Sequence, residues 1–188
     1  MKTLLSIAVF ITIAIIAWLS VTDKNYSDET LQPADTQPHI EIFINNFKIS
    51  NIDTRGQANY ILSGKRLERY SNSDDAMVSL PVLNFLQENN HWLITADQAI
   101  VNNRTNIITL NDNVIMQQQD KPQSVQISSD IMHIDTSSQV AYTDTKVNIR
   151  QGPSRMQSTG MRFDNSKNIL ELNHNVNGYY LNPRHASH

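Results

Sequence analysis

Thr95–Val114, TADQAIVNNRTNIITLNDNV, is a segment that recurs along the chain. Ser128–Val147, SSDIMHIDTSSQVAYTDTKV, has the same length, and Ser158–Val176, STGMRFDNSKNILELNHNV, is one residue shorter. Ser63–Val82, SGKRLERYSNSDDAMVSLPV, is a weaker fourth copy. The copies start roughly 30 to 33 residues apart, and a fixed period in this range is typical of a chain that stacks one supersecondary unit on the next. We therefore predict one continuous stack.

The apolar residues of each copy come in short runs, not at helical spacing. Clusters of turn formers such as Asn102–Arg104 and Asp135–Ser138 separate these runs. Runs of roughly four to six apolar residues bounded by turn formers are typical of strands in an all-β sandwich or barrel. Each copy therefore predicts a pair of short antiparallel strands.

Asp97 and Asp130 occupy the same position in two copies. One interpretation is a carboxylate pair for acid–base chemistry. We favour the other, in which each carboxylate accepts hydrogen bonds from backbone N–H groups at the same turn of successive units.

Leu4–Val21 contains no charged residue. Its length of about 18 residues spans roughly 27 Å as a helix, close to the hydrocarbon thickness of a bilayer. A cleaved signal peptide is the alternative, but Ala17–Ser20 lacks the small-x-small pattern of a cleavage site. We expect an uncleaved transmembrane anchor over residues 1–22. Lys2 precedes the run and acidic residues follow it, which predicts a cytoplasmic amino terminus and an exported remainder.

Three further segments complete the organisation. Residues 23–38 are polar and contain Pro33 and Pro38, which indicates an extended linker. Residues 39–182 form the predicted β domain, and we expect residues 183–188 to be a disordered tail.

Composition excludes several functional classes. The net charge of −3 argues against a nucleic-acid-binding protein. The chain has no cysteine, so disulfides, thiolate metal sites and cysteine nucleophiles are excluded. The six histidines lack the paired spacing of a metal site, so we expect no metal and no cofactor.

The two ends of the predicted sheet carry apolar strands. The first, near His39–Asn51, has apolar residues on both faces, and Asn45 and Asn46 are a plausible bulge. The last covers Val176–Leu181. A sheet that adds strands in chain order keeps two open edges, which are templates for a partner's strand. The edge residues that we expect to pair are Ile40, Ile42 and Ile44 at one end and Val176, Tyr179 and Leu181 at the other.

Several motifs together resemble the LptC family, the membrane-anchored periplasmic component of the lipopolysaccharide export machine of Gram-negative bacteria. They are the single amino-terminal span, WLITADQA at Trp92–Ala99 with Val114 closing the copy, Pro81–Phe85, and Gly152 after Val147–Ile149. The resemblance covers nearly the whole chain. One departure is Asp112, which stands where the family often has glycine.

The resemblance implies a twisted antiparallel β-jelly-roll of OstA-like repeats whose apolar interior holds the acyl chains of lipopolysaccharide. The lipid-facing positions of the family fall on Phe47, Val78, Leu170 and Tyr180. Its structurally sensitive glycine falls on Gly152, for which a structural role and an interface role both remain open.

The resemblance also implies partners. The amino-terminal edge and the anchor are expected to contact an inner-membrane ABC transporter complex of LptB, LptF and LptG. The carboxy-terminal edge is expected to contact the periplasmic bridge protein LptA.

Drawing a chain of about a dozen carbons into water costs on the order of 10 kcal/mol. The sequence has no phosphate-cradling loop, since Arg66 follows Gly64-Lys65 where serine or threonine is required. We therefore expect a partner ATPase to supply the energy.

The sequence thus predicts a non-catalytic lipopolysaccharide export protein. It would receive lipopolysaccharide from the transporter and pass it to the bridge protein through an apolar groove. The alternative is a structural adaptor that links two envelope complexes and binds no lipid. An envelope hydrolase is disfavoured, because no serine elbow and no convincing metal cluster are present.

Overall fold

The computed structural model describes residues 39–52, 56, 58–86, 91–119, 121 and 123–181. The predicted anchor, linker and tail lie outside these residues. Strands and turns account for the regular structure of the described residues, and no helix among them is long and apolar enough to cross a membrane.

The described residues form one antiparallel sheet of eleven strands, which confirms the all-β prediction. The strands are β1 Ile40–Ile52, β2 Ala58–Tyr70, β3 Asp75–Ser79, β4 Val82–Phe85, β5 Trp92–Thr95, β6 Gln98–Asn102, β7 Ile107–Gln118, β8 Val125–Asp135, β9 Val140–Gln151, β10 Ser154–Asp164 and β11 Ile169–Tyr179.

The strands lie nearly in chain order across the sheet. β3 and β4 pair with successive parts of β2, and β5 and β6 pair with successive parts of β7, so each short pair acts as one interrupted strand. Strands β7 to β11 then pair consecutively. β1 pairs only with β2 and β11 only with β10 among the described strands, so the sheet has the two predicted edges.

Most strands are longer than the sequence predicts. β2 and β7 to β11 have 11 to 13 residues, whereas β3 to β6 have the expected length and β1, with 13 residues, matches the strand predicted near His39–Asn51. The prediction of short strands is wrong for the long ones because some polar clusters lie inside strands. Asp112 and Asn113, for example, take left-handed φ angles of 62° and 52° in the middle of β7.

The turns of the repeat confirm that each copy is a strand pair. Residues 71–74, 103–106, 136–139 and 165–168 form turns at equivalent positions of the four copies, including the weak one. The side chain of Asn102 accepts backbone N–H bonds from Arg104 and Thr105 at 3.0 and 2.9 Å. Asp135 and Asp164 cap the equivalent turns in the same way.

The capping role expected of Asp97 and Asp130 therefore belongs to Asn102 and Asp135, each of which lies five residues further along. The Asp97 carboxylate instead accepts a hydrogen bond from the Asn113 side chain at 2.6 Å. Asp130 is exposed within β8.

A line of irregular backbone crosses the middle of the sheet and divides it into two halves. Half I contains β3 and β6, half II contains β4 and β5, and the long strands pass through both. On this line, left-handed residues replace regular strand at Asn46, Leu80, Asp112, Asn113, Gly160 and Asn175. Asparagine, aspartate and glycine adopt this conformation most readily. Hydroxyl pairs such as Ser129–Thr145, at 2.8 Å, supply polar contacts where the β8–β9 register shifts.

The predicted bulge at Asn45–Asn46 is not observed as a register shift. Asn46 has a φ of 50°, but β1 and β2 keep the same register on both sides of it. At this point the alternation of inward and outward side chains reverses in both β1 and β2, so opposite residues remain paired in the same register. The shifts in β1 lie between Ile40 and Ile42 and between Asn51 and Ile52.

The core lies between the halves and is built from cross-strand rows of inward side chains. The row of half II runs, residue opposite residue, through Ile49, Leu62, Leu83, Ile94, Met116, Ile127, Ile149, Met156 and Gly178. The row of half I runs through Ile42, Arg69, Ala76, Val101, Ile108, Ile134, Ala141, Phe163 and Leu170. Buried residues of both rows belong to one hydrophobic cluster, so the halves pack face to face.

Candidate functional site

The four sequence-predicted interior residues separate into two pairs. Phe47 and Val78 are buried, with 7% and 2% of their surface exposed. Leu170 is half-buried, and Tyr180 is 67% exposed. Phe47 on β1 lies close to Val78 on β3, and Leu170 on β11 lies close to Tyr180, which directly follows β11. The two pairs lie on different strands of the sheet.

Gly64 of β2 holds the first pair together. A Cβ atom at Gly64 would lie 2.7 Å from Val78 Cγ1 and 3.0 Å from Phe47 Cε1. The missing side chain is thus the space that these two residues fill. Phe47 and Val78 are therefore packed side chains in this conformation.

Leu170 and Tyr180 line a cavity of about 100 Å³ next to the β11 edge. Leu170 belongs to the row of half I, whereas Ile149 and Met156 on the opposite wall belong to the row of half II. The cavity therefore lies between the two halves. Its apolar lining is completed by Val125.

Polar groups line the outer part of the cavity. Gln151, Ser154 and Arg155 contribute to its wall. The Arg155 guanidinium donates to the backbone oxygens of Gly152, at 2.6 Å, and Ser154, at 2.9 Å. The backbone N–H of Leu181 donates to Ser154 Oγ at 3.0 Å. The Leu181 bond ties the segment that follows β11 to the start of β10, next to Tyr180 in the cavity wall.

Gly178 allows β11 to approach β10 at the cavity. A Cβ at this position would lie 2.4 Å from the Arg155 backbone oxygen and 2.7 Å from Met156 Cα. Sequence reasoning placed Gly178 in the last strand but gave it no role. A glycine inside a strand is a known sign of close backbone approach, and that signal identifies it.

The predicted structural glycine, Gly152, lies in the two-residue turn between β9 and β10. Its φ is 53°, and the nearest atom to an added Cβ is Gln123 Cδ at 4.0 Å. The left-handed backbone favours glycine here, whereas the surrounding space would admit a side chain.

Both edge strands expose apolar side chains. On β1, Ile42, Ile44 and Ile49 lie on the inner face, opposite Arg69, Leu67 and Leu62 of β2, and are about two-fifths exposed. The exposed apolar residues at the two edges are Ile40, Ile42, Phe43, Ile44, Ile49 and Ile52 on β1, and Ile169, Val176, Tyr179, Tyr180 and Leu181 on and after β11. All six predicted edge-pairing residues are in this set.

No group of three or more metal-ligating side chains is found in the part of the chain that the structure describes. The arrangement is therefore an apolar interior with two open edges, and its evident capacity is for apolar contact and strand pairing.

A family model described as lipopolysaccharide-assembly, LptC-related, matches residues 9–181. The chain belongs to the LptC family. Members of this family are non-enzymatic transport components, so the chain has a role in lipopolysaccharide transport. The family is in general periplasmic and associated with the inner membrane.

Two other comparisons give little beyond this. No curated protein sequence matches the chain significantly. Among solved structures, the chain is similar to LptH, the LptA homologous periplasmic component of the conserved lipopolysaccharide transport device from Pseudomonas aeruginosa. That similarity has a TM-score of 0.39 and 8% identity, and it covers 80% of this chain and 100% of the other.

Proposed function

We propose that this LptC-family chain carries the acyl chains of lipopolysaccharide between the two halves of its sheet. It would receive the lipid at the β1 edge from an inner-membrane ABC transporter of LptB, LptF and LptG. It would then pass the lipid at the β11 edge to the bridge protein LptA. Phe47, Val78, Leu170 and Tyr180 are the proposed lipid contacts.

The observation that carries this proposal is the continuity of the inner face from edge to edge. Apart from Arg69 and Gly178, every position in the two inner rows is apolar, and the rows end at Ile42 and Ile49 on one edge and at Leu170 and Gly178 on the other. Each CH₂ group that stays out of water is worth about 0.8 kcal/mol. A partner protein that adds strands at either edge would extend the same apolar surface.

The cavity at Leu170 and Tyr180 supports entry of lipid near the β11 edge, but its size requires movement. About 100 Å³ is smaller than the 150 Å³ cavity that holds benzene in an engineered protein. An acyl chain would therefore enter only if β11 or the two halves move apart. β11 is paired on one side only, and its Leu170 and Leu172 are half-buried, so it moves at less cost than the neighbouring strands that are paired on both sides.

A pair of neighbouring substitutions tests the carrier function against the adaptor alternative. Leu170→Asp places a carboxylate on the inner face, whereas Ile169→Asp places it on an exposed site of the same strand. We expect export of lipopolysaccharide to the outer membrane to fail with Leu170→Asp and to continue with Ile169→Asp, while both variants still bind LptA. Normal export by a folded Leu170→Asp variant would favour an adaptor that carries no lipid.

We further propose that residues 1–22 cross the inner membrane once with the amino terminus in the cytoplasm. Because the chain has no cysteine, a single cysteine can report topology without background. Gln32→Cys should react with a membrane-impermeant maleimide added to cells with a permeabilised outer membrane, and Lys2→Cys should not. Equal labelling of the two would contradict this orientation.

A further inference from the structure

Arg69 is the one charged residue in the two inner rows defined above. It lies opposite Ile42 on β1 and opposite Ala76 on β3, which is buried. Leu67, two residues earlier on β2, packs against the core. Since side chains two residues apart in a strand share a face, Arg69 also points toward the interior.

The guanidinium of Arg69 is only partly satisfied. Its Nη2 lies 3.0 Å from Glu41 Oε2, in an ion pair whose side chains are 37% and 49% exposed. Its Nε is buried and has no hydrogen-bond partner among the described residues. A buried donor without a partner is destabilising, so an acceptor supplied by a ligand would stabilise this side chain.

The side chains around Arg69 indicate the chemical class of the ligand that carries this acceptor. Ile42 and Ile44 are partly exposed on the same inner face, beside Leu67. A ligand that covers these side chains while it reaches the Nε has an apolar chain joined to an anionic group. The planar fork of arginine binds phosphate through two parallel N–H bonds, in this case from Nε and one Nη.

We propose that Arg69 binds a phosphate group of the lipid carried in the interior. This inference rests on the proposed carrier function and adds a headgroup site at the β1 side of the sheet. Glu41 occupies the guanidinium in the absence of lipid. Because the Glu41 carboxylate is half-exposed, it returns to water at little cost when phosphate replaces it.

The test compares two lipids on the full-length chain in detergent. The probes are bisphosphorylated lipid A and the same lipid after enzymatic dephosphorylation, with inorganic phosphate as a competitor. We expect the wild-type chain to bind the phosphorylated lipid about tenfold more tightly. Arg69→Gln should remove this preference while it leaves the affinity for dephosphorylated lipid unchanged.

Two further variants separate a ligand site from a structural ion pair. Glu41→Gln breaks the same ion pair but frees the guanidinium, so it should keep or strengthen the preference. Arg66→Gln removes a cation from the outer face of the same strand, where Arg66 pairs with Glu68, and should behave as wild type. If Arg69→Gln is unstable, Arg69→Lys keeps the charge and should still lose most of the preference, because lysine lacks the fork.

The inference is overturned if the preference survives in Arg69→Gln, or if Glu41→Gln loses it equally. It is also overturned if millimolar inorganic phosphate competes as well as the lipid, because the site would then recognise free phosphate. If the wild-type chain binds both lipids with equal affinity, the proposed phosphate site is contradicted and the proposed carrier function is not. If the wild-type chain binds neither lipid, both proposals are contradicted.

Discussion

The rings of Trp92 and Phe163 meet with their centroids 4.9 Å apart and their planes at 60°. Trp92 lies on β5 in half II, and Phe163 lies on β10 in half I, and these strands are not neighbours in the sheet. The contact therefore crosses the interior. Both residues are 3% exposed, so this edge-to-face pair joins the two halves within the core.

Trp92→Ala should lower the free energy of unfolding by about 3 to 5 kcal/mol, because it removes a buried aromatic and leaves a cavity between the halves. Phe43→Ala is the control, since Phe43 is 61% exposed and its ring lies under the Arg66 guanidinium. That substitution should cost no more than about 1 kcal/mol. Urea unfolding of both variants measures the difference. Similar losses would mean that the halves are not held together by this contact.

Gly178→Ala and Gly152→Ala should differ in where they act. An alanine Cβ at Gly178 meets backbone atoms of β10 that cannot move aside, so we expect a loss of about 2 kcal/mol and detachment of β11. At Gly152 the space is open and only the left-handed φ is unfavourable, at about 1 kcal/mol. Hydrogen exchange of the β11 amides distinguishes them. Full protection of β11 in Gly178→Ala would show that the close approach is not required.

The repeat explains why much of the fold is predictable from sequence. Turn formers and apolar runs act locally, so they define the hairpins, the strand order and the two edges. Asn102, Asp135 and Asp164 show the same local chemistry at successive turns.

The pairing of faces is not predictable in this way. On β2, Leu62 faces inward in half II and Leu67 faces inward in half I. One residue number is even and the other is odd, so strict alternation along the strand cannot place both on the same face. Simple alternation therefore assigns half of each such strand to the wrong face. For the same reason the sequence does not predict that Arg69 faces inward. Only the observed register shows this. The role of Gly178 depends on the distance between two backbones, which no local pattern encodes.

Proline at the β11 edge should interfere with binding of LptA, but the position matters. The sequence favours Tyr179 or Leu181, yet the N–H of Leu181 donates to Ser154 Oγ within the domain. Because N–H groups alternate in direction along an extended strand, that of Tyr180 points away from β10. Tyr180→Pro should weaken LptA binding about tenfold relative to Tyr180→Ala, which loses the ring but keeps the N–H. Equal affinities of the two variants would place the contact elsewhere.

Acid should destabilise the domain partly through Asp135. The backbone N–H of Ser138 hydrogen-bonds the carboxylate and, with the Ser138 side chain and the Ser137 N–H, lowers the pKa of Asp135 below 3.8. A lowered pKa stabilises the fold above the unfolded value of 3.8, and that stabilisation is lost as the pH falls from 3.8 through the folded pKa. Asp135→Asn should therefore reduce the loss of unfolding free energy between pH 7 and pH 3. An unchanged loss would assign the acid sensitivity to other groups.

Photocrosslinking in living cells tests the proposed carrier function most directly. A photoreactive residue replaces Tyr180, which lines the cavity, or Tyr179, its neighbour on the opposite face of the same segment. We expect a lipopolysaccharide adduct at position 180 and not at 179, and loss of that adduct when cellular ATP is depleted. Equal lipid adducts at both positions, or protein adducts without lipid at position 180, would contradict transport through the interior.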